Sequence, residues 1–179
     1  MSFRQLGHRR LAKGVFLGFD RRYLIDGHGN SVARDVIRHP GGVAVLPVDD
    51  DRVWLVNQHR TAAGSDLLEI PAGRLDPLDR DPLAGGKREL AEEIGATASE
   101  WIWMTTMYPS PGYTDETLAI FAATGLTFSD RRPDGAEEEH LSVVSCGLDE
   151  ALDRIETGEI ADGKTQIALL IWARRRSKL

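Results

Sequence analysis

The clearest chemistry lies in one short run, Lys87-Arg88-Glu89-Leu90-Ala91-Glu92-Glu93-Ile94-Gly95. Glu89, Glu92 and Glu93 stand at i, i+3 and i+4, so on a helix their carboxylates share one face. Like charges at that spacing repel, and anions near a helix C-terminus oppose the macrodipole. Gly85 and Gly86, if inside the same helix, cost roughly 1 kcal/mol each in helix propensity. Local preference is thus broken several times within two turns, as happens where function overrides folding. A bound Mg²⁺ or Mn²⁺ would turn the repulsion into a ligand set, because hard cations take carboxylate oxygens. Taken alone, the three glutamates read equally well as a solvated acidic face. Their surroundings decide.

The elements that must position them follow from hydrophobic period and turn chemistry. The acidic run belongs to a helix over 83–94, stopped by Gly95. Before it, 43–48 is a compact apolar strand, Asp49-Asp50-Asp51 a turn and 53–56 the return strand of a hairpin. Residues 67–70 form a short strand ending at Pro71-Ala72-Gly73, and a loop rich in Asp and Pro runs on to Pro82. After the helix, 101–107 and 118–124 are strands flanking the loop 108–117. A polar stretch over 129–140 precedes a strand at 141–145. Leu148, Ala151, Leu152 and Ile155 recur at helix spacing, and Ile167, Leu170 and Ile171 do so again. At the start, 14–19, 22–25 and 31–38 read as strands around the turn cluster Asp26-Gly27-His28-Gly29-Asn30. This gives a mixed α/β domain over 41–179, preceded by a small β segment over 1–40. The segment cannot bury a core of its own, so it must lie on the rest of the chain or on a partner subunit.

Composition narrows the classes. The chain has 179 residues, 28% charged and 41% hydrophobic, which suits an ordinary globular domain and not a disordered one. Its longest uninterrupted apolar run, 167–173, is far short of the ~20 residues of a spanning helix, so no membrane role is expected. The N-terminal run MSFRQLGHRRLAKG has no apolar stretch behind its basic residues and does not read as a secretory signal; a cytoplasmic protein is expected. A single cysteine, Cys146, excludes an internal disulfide and a cysteine zinc site. The net charge of −6 argues against a nucleic-acid backbone as partner and suits a collector of divalent cations.

Residues 73–96 resemble the signature of the Nudix hydrolases. That signature runs Gly, five or six residues, Glu, seven residues, then Arg-Glu-apolar-any-Glu-Glu-any-Gly-apolar. Gly73 matches its start, and Arg88, Glu89, Leu90, Glu92, Glu93, Gly95 and Ala96 match its second half. The resemblance implies an α/β/α sandwich with a mixed sheet and the signature on a loop–helix–loop. It also implies a divalent metal and hydrolysis of a nucleoside diphosphate linked to another group. One position departs. The first signature Glu falls on Arg80 counting back from Arg88, or on Asp79 counting forward from Gly73. In the family that Glu partners the signature Arg, and a buried Arg88 left alone would cost several kcal/mol. Asp79 or Asp81 is expected to take its place, with Arg80 in solvent.

Further similarity points to the ADP-ribose pyrophosphatase branch, although GDP-mannose and other nucleotide-sugar enzymes share much of the pattern. It is carried by Glu69-Ile70-Pro71-Ala72-Gly73, by Gln58-His59-Arg60, by Pro111 fifteen residues after Ala96, and by Gly158-Glu159-Ile160-Ala161-Asp162-Gly163-Lys164-Thr165. The branch implies a homodimer that exchanges its N-terminal strands. It also implies metal ligands at Glu89 and Glu93, with Glu92 close by and the Ala72 carbonyl contributing. The general base is expected on an acidic loop after the signature: Glu137 first, Glu139 in reserve, Glu92 if neither serves. Arg60, Glu69, Arg74, Gly112, Tyr113 and Glu116 are the candidate substrate contacts. Arg60 offers a planar fork for phosphate or base, and reads equally as a surface Arg at a strand end. Tyr113 is the stacking candidate, and Glu116 would hold a ribose hydroxyl or steer Arg60. Gly73, Arg88 and Gly95 are structural. A catalytically silent module that binds a nucleotide sugar is the other reading.

Overall fold

Residues 3–131 and 140–177 are described by a computed structural model. Its contacts divide the chain into two units, Met1–Gly41 with Tyr108–Thr117, and Gly42–Met107 with Leu118–Leu179. The smaller unit therefore takes in the loop 108–117 as well as the N-terminal segment.

In the larger unit the strands are β4 (Gly42–Asp49), β5 (Arg52–Arg60), β6 (Ser65–Glu69), β7 (Ala72–Arg74), β8 (Ala96–Met107), β9 (Leu118–Phe128) and β10 (Ser142–Gly147). The helices are α1 (Pro82–Ile94), α2 (Leu148–Glu156) and α3 (Gly163–Arg176). Strand order is β10-β5-β4-β9-β8, with β6 added to β5 and β7 to β4. β4 and β9 run parallel and the other pairs antiparallel, so the sheet is mixed. Successive residues of a strand face opposite sides. Leu46, Leu55 and Ile120 pack with Leu148, Ala151 and Leu169 of α2 and α3. Val45, Val56 and Ala123 pack with Leu90 and Ile94 of α1. Burying such side chains stabilises by roughly 1.5–3 kcal/mol each and sets helices on both faces, the α/β/α arrangement.

β4 forks. Its first residues, Gly42 to Ala44, pair with β7, and its last, Val48 and Asp49, pair with β5. At the fork Val45 N–H donates to the Pro71 carbonyl at 2.8 Å. The loop that opens the signature is thereby fastened to the middle of the sheet. β7 and the first five residues of β8, from Ala96 to Glu100, lie outside the strands expected from sequence. Both are polar or small-residue runs without a two-residue period, and register with β4 and β9 makes them strands.

The smaller unit is a meander of β1 (Arg4–Lys13), β2 (Gly18–Ile25) and β3 (Ser31–Arg38). The expected strand over 14–19 is corrected: 14–17 form a turn, with Gly14 N–H on the Leu17 carbonyl at 2.8 Å, and β2 starts at Gly18. β1 carries no strand period, because both its faces are largely exposed and its sequence does not alternate. It is held by its ladder to β2 and by the Arg10–Asp20 ion pair. Among the described residues no helix is long and apolar enough to cross a membrane.

Candidate active site

α1 starts and stops where its sequence dictates. Asp81 Oδ1 accepts the Ala84 N–H at 2.9 Å, Pro82 occupies the first turn, and Gly95 ends the helix at φ 68°. Gly85 and Gly86 do lie inside it, buried. A Cβ on Gly86 would come within 3.2 Å of both Val43 and Val45, so the lost propensity is exchanged for close approach of helix to sheet. That approach presents Glu89 and Glu93, 4% and 2% exposed, to the 72–73 backbone. Glu93 Oε2 accepts the Ala72 N–H at 3.2 Å. The Glu89 carboxylate fills the space where a side chain on Gly73 would begin. Gly73 is thus set by contact: with the Glu89 carboxylate seated here, β7 passes against the acidic face only without a Cβ.

Arg88 gathers the charges around it. Nη1 lies 2.8 Å from Glu89 Oε1 and donates to Glu92 Oε2 at 2.8 Å. Nη2 donates to the Arg74 carbonyl at 3.0 Å and to Asp79 Oδ2 at 3.3 Å. Asp79 therefore supplies the carboxylate that the signature Glu would have given, Asp81 serves as the helix cap, and Arg80 is exposed. Burial opposes charge on Arg88, but the bond to Asp79 and the nearby Glu89 and Glu92 outweigh it and raise its pKa. Asp79 is shifted the other way. Burial would raise its carboxyl, and the Asp76 N–H and Arg88 overcome that and lower it.

A second ionic group lies at the end of β5 and β6. Glu69 is 1% exposed. It accepts Arg60 Nε at 2.8 Å and Nη2 at 2.6 Å, and it pairs with Lys164 as well. Burial pushes the Glu69 carboxyl up; Arg60 and Lys164 together hold it below its ordinary value. Glu69 thus orients Arg60. Lys164 in turn lies 3.1 Å from Asp162, whose other oxygen caps α3 through Thr165. Lys164 and Thr165 belong to the run 158–165 that carries the branch resemblance, but neither is among the candidate site residues. The Asp-x-x-Thr spacing of a helix cap is the sequence signal for Thr165.

The remaining substrate candidates Gly112, Tyr113 and Glu116 belong to the smaller unit. There the Tyr113 carbonyl accepts the Ile37 N–H at 2.7 Å, and its ring is 60% exposed. Glu116 Oε1 lies 3.9 Å from His39 Nδ1. Asp115 pairs with Arg22 and Arg38 and fastens this loop to the meander. Glu137 and Glu139 fall outside the described residues. Trp54 and Trp101 pack on the α1-side core, whereas Trp103 is 58% exposed.

Among the described residues no group of three or more His, Cys, Asp or Glu side chains is gathered as a cation site. The reason is visible: Glu89 and Glu92 turn to Arg88, and Glu93 turns to the Ala72 N–H. The donor set fits a hard divalent cation nevertheless. Two buried carboxylates one helical turn apart, Glu89 and Glu93, face a strand whose glycine leaves room for them, and every candidate ligand atom is oxygen.

Comparison with known proteins accords with this arrangement. Residues 38–166 match the family model for the NUDIX domain. The chain is 36% identical over 143 residues to an ADP-ribose pyrophosphatase of Bacillus subtilis, covering 79% of this chain and 77% of that protein. It is 34% identical over 143 residues to a methanol dehydrogenase activator of Bacillus methanolicus, with the same coverage of 79% and 77%. It is 33% identical over 154 residues to a GDP-mannose pyrophosphatase of Citrobacter koseri, covering 75% and 78%. A crystal structure of an ADP compounds hydrolase superposes with a TM-score of 0.86 at 21% identity, over 100% of this chain and 98% of that one. The fold agrees, the signature residues converge around Arg88, and the chain belongs to the Nudix family.

Proposed function

We propose that the protein hydrolyses the diphosphate of ADP-ribose, using Mg²⁺ or Mn²⁺, to AMP and ribose 5-phosphate. The observation that carries this reading is the buried pair Glu89 and Glu93 set against Ala72-Gly73. When bound, a divalent cation neutralises diphosphate charge and lowers the pKa of water. Glu89, Glu93 and the Ala72 carbonyl hold it, with Glu92 beside them. Arg88 keeps Glu89 and Glu92 oriented. Water attacks one phosphorus, the P–O–P bond opens, and the two phosphates leave as AMP and ribose 5-phosphate. Glu137 removes the proton from that water, and Glu139 is the reserve base. Arg60 has two of its N–H groups on Glu69 and offers the rest to phosphate; Arg74 shares this role. Tyr113 stacks on the base, and Gly112 and Glu116 line the ribose side.

The test is a panel of ADP-ribose, GDP-mannose and other nucleoside diphosphate compounds with Mg²⁺, Mn²⁺ and EDTA, read by chromatographic separation of the nucleoside monophosphate formed. Turnover of ADP-ribose that vanishes in EDTA is expected. GDP-mannose as preferred substrate would move the assignment to the second reading, for which the Citrobacter koseri relative speaks. No turnover with tight binding would make the protein a nucleotide-sugar sensor. Glu137→Gln should lower kcat by ~10²-fold or more with KM nearly unchanged, as loss of a general base does. If Glu139→Gln alone has that effect, the role belongs to Glu139.

The same reading makes the protein a cytoplasmic homodimer that exchanges residues 1–40 between subunits. Its support is β1, which is exposed along both faces in the single chain. A monomer by light scattering at micromolar concentration would exclude it.

A further inference from the structure

The strand that carries Ala72 is held from a distant part of the chain. Ile70 is fully buried, and its N–H donates at 2.9 Å to Thr165 Oγ1, at the start of α3. Thr165 is also fully buried. The Ile70 N–H can only donate, so the hydroxyl accepts it and gives its one proton to Asp162 Oδ2 at 2.6 Å. The direction of both bonds is therefore determined. The same Asp162 oxygen accepts the Thr165 N–H at 3.0 Å, which fixes the hydroxyl-bearing residue on the helix. Pro71 has no N–H to give. The stretch 70–72 thus has two amide tethers, Ile70 to Thr165 and Ala72 to Glu93, the second at 3.2 Å. One ends on α3 and the other on the acidic face of α1.

We propose that Thr165 is a positioning residue for the cation site. Its hydroxyl sets the 70–72 main chain, and so the placement of the Ala72 carbonyl relative to Glu93. The proposal rests on the reading that Ala72, Glu89 and Glu93 hold the cation. Thr165 touches neither cation nor substrate in this scheme. It acts through one backbone amide, which is why a residue of the last helix bears on a site built near the first. Thr165→Val keeps the shape and deletes the acceptor; Thr165→Ser restores it.

The experiment is Mn²⁺ binding to the intact protein without substrate, read from the EPR signal of free Mn²⁺, beside thermal unfolding. Thr165→Val should weaken Mn²⁺ binding about tenfold, and Thr165→Ser should bind within twofold of wild type. Leu169→Ala, a cavity in the same helix, should lower the unfolding midpoint and leave Mn²⁺ affinity unchanged. Three results would overturn the proposal: Thr165→Val binding like wild type, no rescue by Ser, or equal weakening by Leu169→Ala. Wild-type protein that binds no Mn²⁺, or Glu93→Gln that binds it as tightly, would instead bring down the metal assignment itself.

Discussion

Glu93→Gln is expected to leave the fold intact and lower ADP-ribose turnover by about 10³-fold. The side chain is 2% exposed and receives the Ala72 N–H. A Gln carbonyl oxygen accepts that same bond, so the contact that fixes β7 survives the change. What is lost is a full negative charge at a buried place, where an ionic ligand acts in low dielectric. Steady-state kinetics across a Mn²⁺ titration, with circular dichroism to establish folding, decide it. A folded variant within tenfold of wild type would remove Glu93 from the ligand set.

Gly73→Ala should be nearly as damaging to activity and far milder on stability. Gly73 lies in a strand, not in the left-handed region, so its backbone accepts an alanine. The new methyl would occupy the position of the Glu89 carboxylate, the mobile end of a long side chain. That end can swing aside while the helix stays put. We expect a loss of ~10²-fold or more in kcat/KM, through displacement of a ligand, with only a small fall in Tm. Unchanged activity would show that the Glu89 carboxylate does not need its seat on β7. A collapse of Tm with no folded protein would show that the carboxylate has nowhere to go.

These expectations draw on residues whose legibility in the sequence differed. The hairpin of β4 and β5, the helix α1 with its caps, and the two C-terminal helices follow from apolar period and turn residues alone. The replacement for the missing signature Glu was legible as one of two residues, Asp79 or Asp81, and the structure pairs Asp79 with Arg88. β1 and β7 were not legible. Their partners are what make them strands, and pairing across sequence leaves no period to read. Neither could the sequence set Glu69 beside Lys164, 95 residues away. The charge that neutralises this buried carboxylate comes from a helix far away in the chain. The Thr165 hydroxyl was hidden for the same reason.

The fork in β4 has a consequence for amide hydrogen exchange. Val45 sits at the centre of the sheet and is fully buried, where exchange ordinarily awaits global unfolding. Yet its N–H is held by Pro71, not by a neighbouring strand residue in a ladder. Lifting the 70–73 stretch frees this proton while Val43 and Leu46 remain in register with β9. Deuterium uptake at Val45 therefore clocks the opening of the signature loop from inside the core, at an amide that burial alone would rank among the slowest in the chain.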